Sequence, residues 1–263
     1  MNIEGVLAPN PSLFTGPGTN TYVISSAGKA VVLDPGPIID SHIAGIDRAV
    51  GNMDLLAVMV PHTHADHAPA ANVLGSAWNV EVLGYGPGPD FEPTVTVADG
   101  EHIDVGDIVM EILHTPGHTD DHVCYRIADV IFTGDHIMSG STVLIEDATA
   151  YMKSLRRVAD LTPDSLYPGH GPNITDASAA ITSYIEHRLA REREIVAAVD
   201  RGAGTISEIV AVVYSEVDPR LQAAAAQQVA VQLTKLEGDG KVQLTRPVSG
   251  DGPMVRRAEE PPG

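Results

Sequence analysis

The spacing of apolar positions changes several times along this chain, and each change predicts an element. Thr21-Tyr22-Val23-Ile24 and Ala30-Val31-Val32-Leu33 are short β-rich runs with Ala27-Gly28 between them, which predicts a hairpin. Ile38, Ile39, Ile43, Ile46 and Val50 recur at helical spacing, so residues 37–50 are expected as an amphipathic helix. Asp54-Leu55-Leu56-Ala57-Val58-Met59-Val60 is an unbroken apolar run, read as a buried strand that Pro61 ends. A second helix is expected over 68–78. Residues 80–113 read as short strands broken by turns, including the surface loop Gly84-Tyr85-Gly86-Pro87-Gly88-Pro89. Residues 148–161 place Met152, Leu155, Val158 and Leu161 on one helical face, and Asp164–Pro168 reads as a last short strand.

The pattern shifts after Pro172. Residues 175–200 carry Ala180, Ile181, Tyr184, Ile185, Leu189, Ile195 and Val196 at helical spacing and predict a long helix. Gly202-Ala203-Gly204 breaks it, and Thr205-Ile206-Ser207-Glu208 has the form of a capping box that starts another. Residues 220–237 form an Ala-rich helical pattern with Leu221, Val229, Leu233 and Leu236 as core candidates. Gly238-Asp239-Gly240 then turns into Lys241-Val242-Gln243-Leu244. Helix, helix, turn and strand resemble a small winged helix. The expected division is therefore 1–174, 175–247 and a disordered tail over 248–263, where Gly, Pro and charge leave little to bury.

Composition narrows the class. Apolar residues make up 43% of the chain, enough for a sizeable core. No run of about 18 apolar residues is present, so no membrane partner is expected. Met1–Gly5 lacks the basic and apolar regions of a signal peptide, and a lone cysteine cannot make an internal disulfide; both suit the cytoplasm. Cys124 alternates with Val123 and Tyr125 in a strand-like run and reads as core rather than nucleophile. Net charge is −19, most of it before residue 176, which disfavours nucleic acid as a partner. Lys153, Arg156 and Arg157 are a local basic group on one helix, and a solvated face is their simplest reading.

The chemistry is concentrated in Pro61-His62-Thr63-His64-Ala65-Asp66-His67, directly after the buried strand. On a helix His62 and His64 would diverge, whereas a loop can turn His62, His64, Asp66 and His67 around one point. Imidazole with carboxylate suits Zn, Fe, Ni or Cu. Three more motifs follow at apparent strand ends: His118 in Thr115-Pro116-Gly117-His118, Asp135 in Gly134-Asp135-His136, and His170 in Gly169-His170-Gly171.

This ordered set resembles the metallo-beta-lactamase superfamily. The Gly-Thr-Asn-Thr-Tyr piece at 18–22 and Leu33-Asp34-Pro35-Gly36 are similar to it too. The resemblance implies an α+β chain: a four-layer αβ/βα sandwich with a small C-terminal helical, winged-helix-like domain. It implies two divalent metal ions, with zinc expected and manganese or iron as alternatives. His62, His64 and His118 would hold the first, Asp66, His67 and His170 the second. Asp135 would bridge them alongside a water or hydroxide. Asp34 would lie behind the ligands, and His114 is a further candidate for orienting them. Asp66 and His122 are the candidate catalytic residues, His122 as a group that could protonate a leaving group.

The function these residues point to is a metal-dependent hydrolase in which a bridging hydroxide attacks an ester, thioester, lactone or phosphodiester of small or medium size. The alternatives are an endoribonuclease acting on single-stranded RNA and, as a minor reading, a di-iron redox protein. The C-terminal helices read as structural or as a homodimer contact.

Overall fold

The structure is a computed structural model and describes residues 1–140, 142–245 and 253–258. Two mixed sheets face each other. The first has six strands in sequence order: β1 (Asn2–Leu7), β2 (Asn20–Ser26), β3 (Lys29–Leu33), β4 (Asp54–Met59), β5 (Glu81–Gly84) and β6 (Val95–Thr96). The second runs β11 (Ser165–Pro168), β10 (Val130–Gly134), β9 (Val123–Ile127), β8 (Ile108–His114) and β7 (His102–Val105). Their inner faces interdigitate through Tyr22, Ile24, Leu33 and Met59 on one side and Met110, Ile112, Tyr125 and Phe132 on the other.

The outer faces are also covered, which is why β3 and β4 read as unbroken apolar runs rather than alternating ones. Helices α1 (Asp40–Val50) and α2 (Ala70–Trp78) pack Ile46, Val50 and Leu74 on Val32, Val58 and Val82. Helices α3 (Ala148–Asp160) and α4 (Ala177–Asp200) cover the second sheet with Tyr151, Leu155, Val158 and Ile181 against Leu113, Cys124, Ile131 and Leu166. The result is the expected four-layer αβ/βα sandwich of the α+β class. Asp147 caps α3 by accepting from Thr149 and Ala150, and Asp176 caps α4 by accepting from Ala179.

Beyond α4 come α5 (Ile206–Val213), a 3-10 turn at Pro219–Leu221, α6 (Gln222–Gly238), β12 (Val242–Thr245) and β13 (Met254–Arg257). The Thr205/Glu208 capping box forms as expected. These elements share a core of Ile195, Ile209, Val229, Leu233, Leu236, Val242 and Val255. Two strands were not foreseen. β1 pairs antiparallel with β2 as an edge strand. β13 corrects part of the disordered tail expected over 248–263: it pairs with β12, buries Val255, and Arg257 reaches Asp200 at 2.9 Å. One apolar side chain placed on a waiting core is enough to order a short strand. Residues 248–252 and 259–263 lie outside the described residues. No described helix is long and apolar enough to cross a membrane.

Candidate metal centre

The chain brings five separate loops to one edge of the sandwich. Asp34 follows β3, the His62–His67 loop follows β4, and His118 lies between β8 and β9. Asp135 follows β10, and His170 follows β11. β3 runs parallel to β4, and β10 parallel to β11, so their C-terminal ends open on the same side. Hydrogen bonds then fix the loops to one another. Asp121 accepts from the Thr63 N–H at 2.9 Å, and the Asn20 amide donates to the carbonyls of Pro168 and Gly171 at 3.0 and 2.7 Å.

Two triads of ligand-type atoms result. His62 Nε2, His64 Nδ1 and His118 Nε2 form a triangle with sides of 3.0, 3.2 and 3.1 Å. His67 Nε2, His170 Nε2 and Asp66 Oδ2 form a second, with sides of 3.2, 3.2 and 3.6 Å. Asp135 stands between them. Its Oδ2 is 3.7 Å from His118 Nε2, and its Oδ1 is 3.4 Å from both His67 Nε2 and His170 Nε2. Ligands about 2.0 Å from a tetrahedral ion lie about 3.3 Å apart, so the spacing fits coordination. All seven side chains named from the sequence as ligands therefore meet at this edge, in three groups that could hold a metal ion.

The opposite ring nitrogens explain the orientation. His118 Nδ1 donates to the Leu144 carbonyl at 2.6 Å and His170 Nδ1 to the Gly18 carbonyl at 3.1 Å. A carbonyl can only accept, so the proton sits on Nδ1 and the Nε2 lone pair faces the centre. His67 Nδ1 lies 2.9 Å from both Asp34 oxygens, which have the same effect. Asp34 is 2% exposed and holds a left-handed backbone, φ 59°, at the end of β3. Gly169 is required beside it: a Cβ there would come within 2.9 Å of both Asp135 Oδ1 and His67 Cε1.

Burial and charge set opposite protonation tendencies. Burial pushes His62 far below the ordinary imidazole value, and neighbouring His67 and His118 push the same way. Burial also lowers His118 against the pull of Asp135. For His67, burial is outweighed by Asp34 and Asp135, which hold it well above the ordinary value. Asp66 and Asp135 likewise hold His170 up against burial. Burial would raise Asp135, yet the surrounding imidazoles, His67 foremost, hold its carboxyl far below the ordinary carboxylate value.

Two residues named from the sequence stand elsewhere. His122 is not on the wall of the cavity that the triads open on. It is fully buried behind the centre, with Nδ1 3.0 Å from Thr115 Oγ1 and Nε2 accepting the Asp135 backbone N–H at 3.2 Å. Burial, with His118 and His136 beside it, holds it well below the ordinary value, and because Nε2 accepts, its ring proton sits on Nδ1 toward Thr115. It steadies the Asp135 backbone instead. His114 does not touch the ligands either. It stacks on Tyr85 with ring centroids 4.1 Å apart, and its Nε2 lies 2.8 Å from the Asp120 carbonyl. Asn20 enters the sequence reading only within the Gly-Thr-Asn-Thr-Tyr piece at 18–22, and the Gly18 and Leu144 carbonyls carry no side-chain signal in the sequence.

The triads open on a cavity of about 870 Å3 between the sandwich and the C-terminal helices. Its walls are largely apolar, with Leu13, Phe14, Pro37, Val143, Val217 and Leu221 among them. Leu13 and Phe14 are about half exposed, at 51% and 52%. Lys153 and Arg157 face a different cleft, and Arg157 pairs with Asp99 at 2.7 Å.

Comparison with known proteins agrees with this architecture. The metallo-beta-lactamase superfamily pattern matches residues 14–170, and the beta-lactamase associated winged helix domain matches residues 205–246. A Beta-lactamase-like protein 2 homolog of Drosophila melanogaster is 31% identical, covering 92% of this chain and 89% of its own. An atrochrysone carboxyl ACP thioesterase of Aspergillus chevalieri is 32% identical over 90% of this chain and 81% of its own. A beta-lactamase domain protein from Burkholderia ambifaria shares the fold at 18% identity, with a TM-score of 0.85 over 97% of this chain and 91% of that one. The chain belongs to the metallo-beta-lactamase superfamily of metal-dependent hydrolases and carries that superfamily's winged-helix domain at its C-terminal side.

Proposed function

We propose that this chain is a dinuclear metal-dependent thioesterase acting on acyl groups of medium size and apolar character. His62, His64 and His118 would hold one ion, Asp66, His67 and His170 the other, and Asp135 stands between the two triads with an oxygen toward each. A pair of bound divalent ions, zinc in our reading, supplies an ionised water near neutral pH and polarises the scissile carbonyl. The protein's part is to keep the lone pairs aimed. Asp34, Gly18 and Leu144 hold protons on the outer ring nitrogens, and His122 secures the Asp135 backbone. The apolar walls seat the acyl group and displace water from it.

The observation that carries the thioester choice is that no free acid stands at the reacting edge among the described residues. Apart from the ligand set and two arginines, the titratable side chains described on the cavity wall are His187 on α4 and Tyr214 at the end of α5, neither of them on a metal-site loop. A thiolate leaves without protonation because thiols ionise near pH 8.5, whereas an alkoxide requires a donor. The relative named as an ACP thioesterase supports the same bond type. The ribonuclease alternative asks for a cationic track. The cavity's Arg191 is paired with Glu194 at 2.7 Å and lies over the Tyr214 ring.

Elemental analysis followed by a panel of an acyl thioester, a lactone, bis-p-nitrophenyl phosphate and single-stranded RNA tests the reading. The expected result is about two metal ions per chain and turnover of the thioester well above the others. Turnover that survives complete metal removal, or a preference for RNA, would overturn it.

A further inference from the structure

After β10 the chain reaches α3 through an irregular segment, and Val143, Leu144 and Ile145 form part of the cavity wall or its backing. Val143 and Ile145 are each only 1% exposed. Buried backbone groups outside helices and sheets need partners from elsewhere. Here the C-terminal helices provide them. Gln228 of α6 accepts the Ile145 N–H at 3.1 Å and donates its own amide to the Ile145 carbonyl at 2.9 Å. Arg188 of α4 donates through Nη2 to the Val143 carbonyl. Between those two held residues lies Leu144, whose carbonyl accepts from His118 Nδ1. Three consecutive carbonyls thus join two domains: the outer pair is gripped by C-terminal side chains, and the middle one aims a histidine of the first triad.

We infer that Gln228 is a positioning residue of the metal centre, acting through the 143–145 strap on His118. The inference rests on the metal reading above and gives the C-terminal domain a part in it. Gln228 is 6% exposed, so its amide has little access to water as a substitute partner. Losing that amide leaves both polar groups of Ile145 buried and unpaired, and the strap then shifts or loosens. His118 loses the fixed acceptor that keeps its Nε2 beside His62 and His64. Among the described residues nothing comparable links Gln228 to the second triad. His67 leans on Asp34, and His170 leans on Gly18, both within the sandwich.

The test is zinc binding by the metal-free full chain, read by competition with a chelator. Wild type should show two binding events, and His118→Ala identifies the first triad as the event it removes. Gln228→Met, which keeps the length and drops both hydrogen bonds, should weaken that same event about 10- to 100-fold and leave the other unchanged. Gln228→Asn pulls the amide back by one methylene and should act in the same direction with less disturbance to folding. Gln232→Met is the control: Gln232 sits on the same helix, is 1% exposed, and its Oε1 accepts no hydrogen bond among the described residues. It should move neither event. Equal weakening of both events by Gln228→Met, or of neither while the thermal midpoint falls, would reduce Gln228 to packing and overturn the inference. A wild-type chain that binds no zinc would sink the metal reading itself, and this inference with it.

Discussion

The two triads differ in what stands behind them. The first is three imidazoles with neutral backing: a carbonyl behind His118, and at His62 Nδ1 no partner among the described residues. The second contains a carboxylate, Asp66, and has another, Asp34, behind His67. Burial therefore lowers the proton affinity of His62 and His118 in the first triad, while neighbouring carboxylates raise that of His67 and His170 in the second. One six-residue loop, His62 to His67, feeds both. Its first half supplies the first triad and its second half the second, so residues of one motif meet two environments of different charge.

Asp135 is where the contrast should vanish, and it gives the largest expected effect. Its two oxygens face different triads, so Asp135→Ala removes a ligand from each and leaves the two sites without the shared anion that offsets repulsion between the ions. Metal content should fall at both sites and thioester turnover should be abolished, as measured by elemental analysis beside a thiol-release assay. Retention of both ions at wild-type levels would remove Asp135 from its bridging position.

Single-triad variants separate the halves. His118→Ala and His170→Ala should each lower metal content by about one ion per chain while the partner triad stays loaded. If either change empties both triads, the sites are one cooperative unit and the contrast drawn above is lost. Asp34→Asn is milder. It keeps a hydrogen-bond acceptor for His67 and removes the charge, so second-triad affinity should fall about 10- to 100-fold with the first triad unaffected. An equal loss at both triads would mean that Asp34 supports the β3 end as a whole.

Much of this arrangement was legible in the sequence because each ligand-type residue lies in a short motif at a strand end, where a breaker such as Pro61 or Gly169 marks the loop. The αβ/βα layering came from the resemblance; the pattern itself marked only the apolar run ending at Val60 as a buried strand, and that strand proves covered on both faces. Orientation was not legible. His118 and His122 are four residues apart in one loop, yet one faces the ions' position and the other backs Asp135, because Thr115 and the Asp135 N–H claim the second ring. The acceptors that fix His118 and His170 are main-chain carbonyls, which any residue would supply. Gln228 is one amide in an Ala-rich helix, and only the fold shows that Ile145 lies against it. β1 escapes notice because its apolar residues Ile3, Val6 and Leu7 do not alternate, and β13 because it is four residues long in a stretch rich in Gly, Pro and charge.

The smallest expected effect is a difference in pH dependence between the triads. Protons compete with a metal ion for the imidazole lone pair, and a ring held above its ordinary value takes its proton at a higher pH. Burial opposes protonation of His67 and His170, but Asp34, Asp66 and Asp135 outweigh it, so both are raised. Burial prevails at His62 and His118, so both are lowered. On acidification from neutral pH the second triad should therefore lose apparent affinity first, and the first should hold its ion to lower pH. His118→Ala and His170→Ala chains, each left with one working triad, allow the two slopes to be measured separately by zinc titration between about pH 8 and 5. The steeper fall should belong to His118→Ala, which keeps the carboxylate-backed triad. Parallel slopes would mean that the ion, once bound, erases the difference in charge behind the rings, and that the asymmetry of the two triads is confined to the metal-free protein.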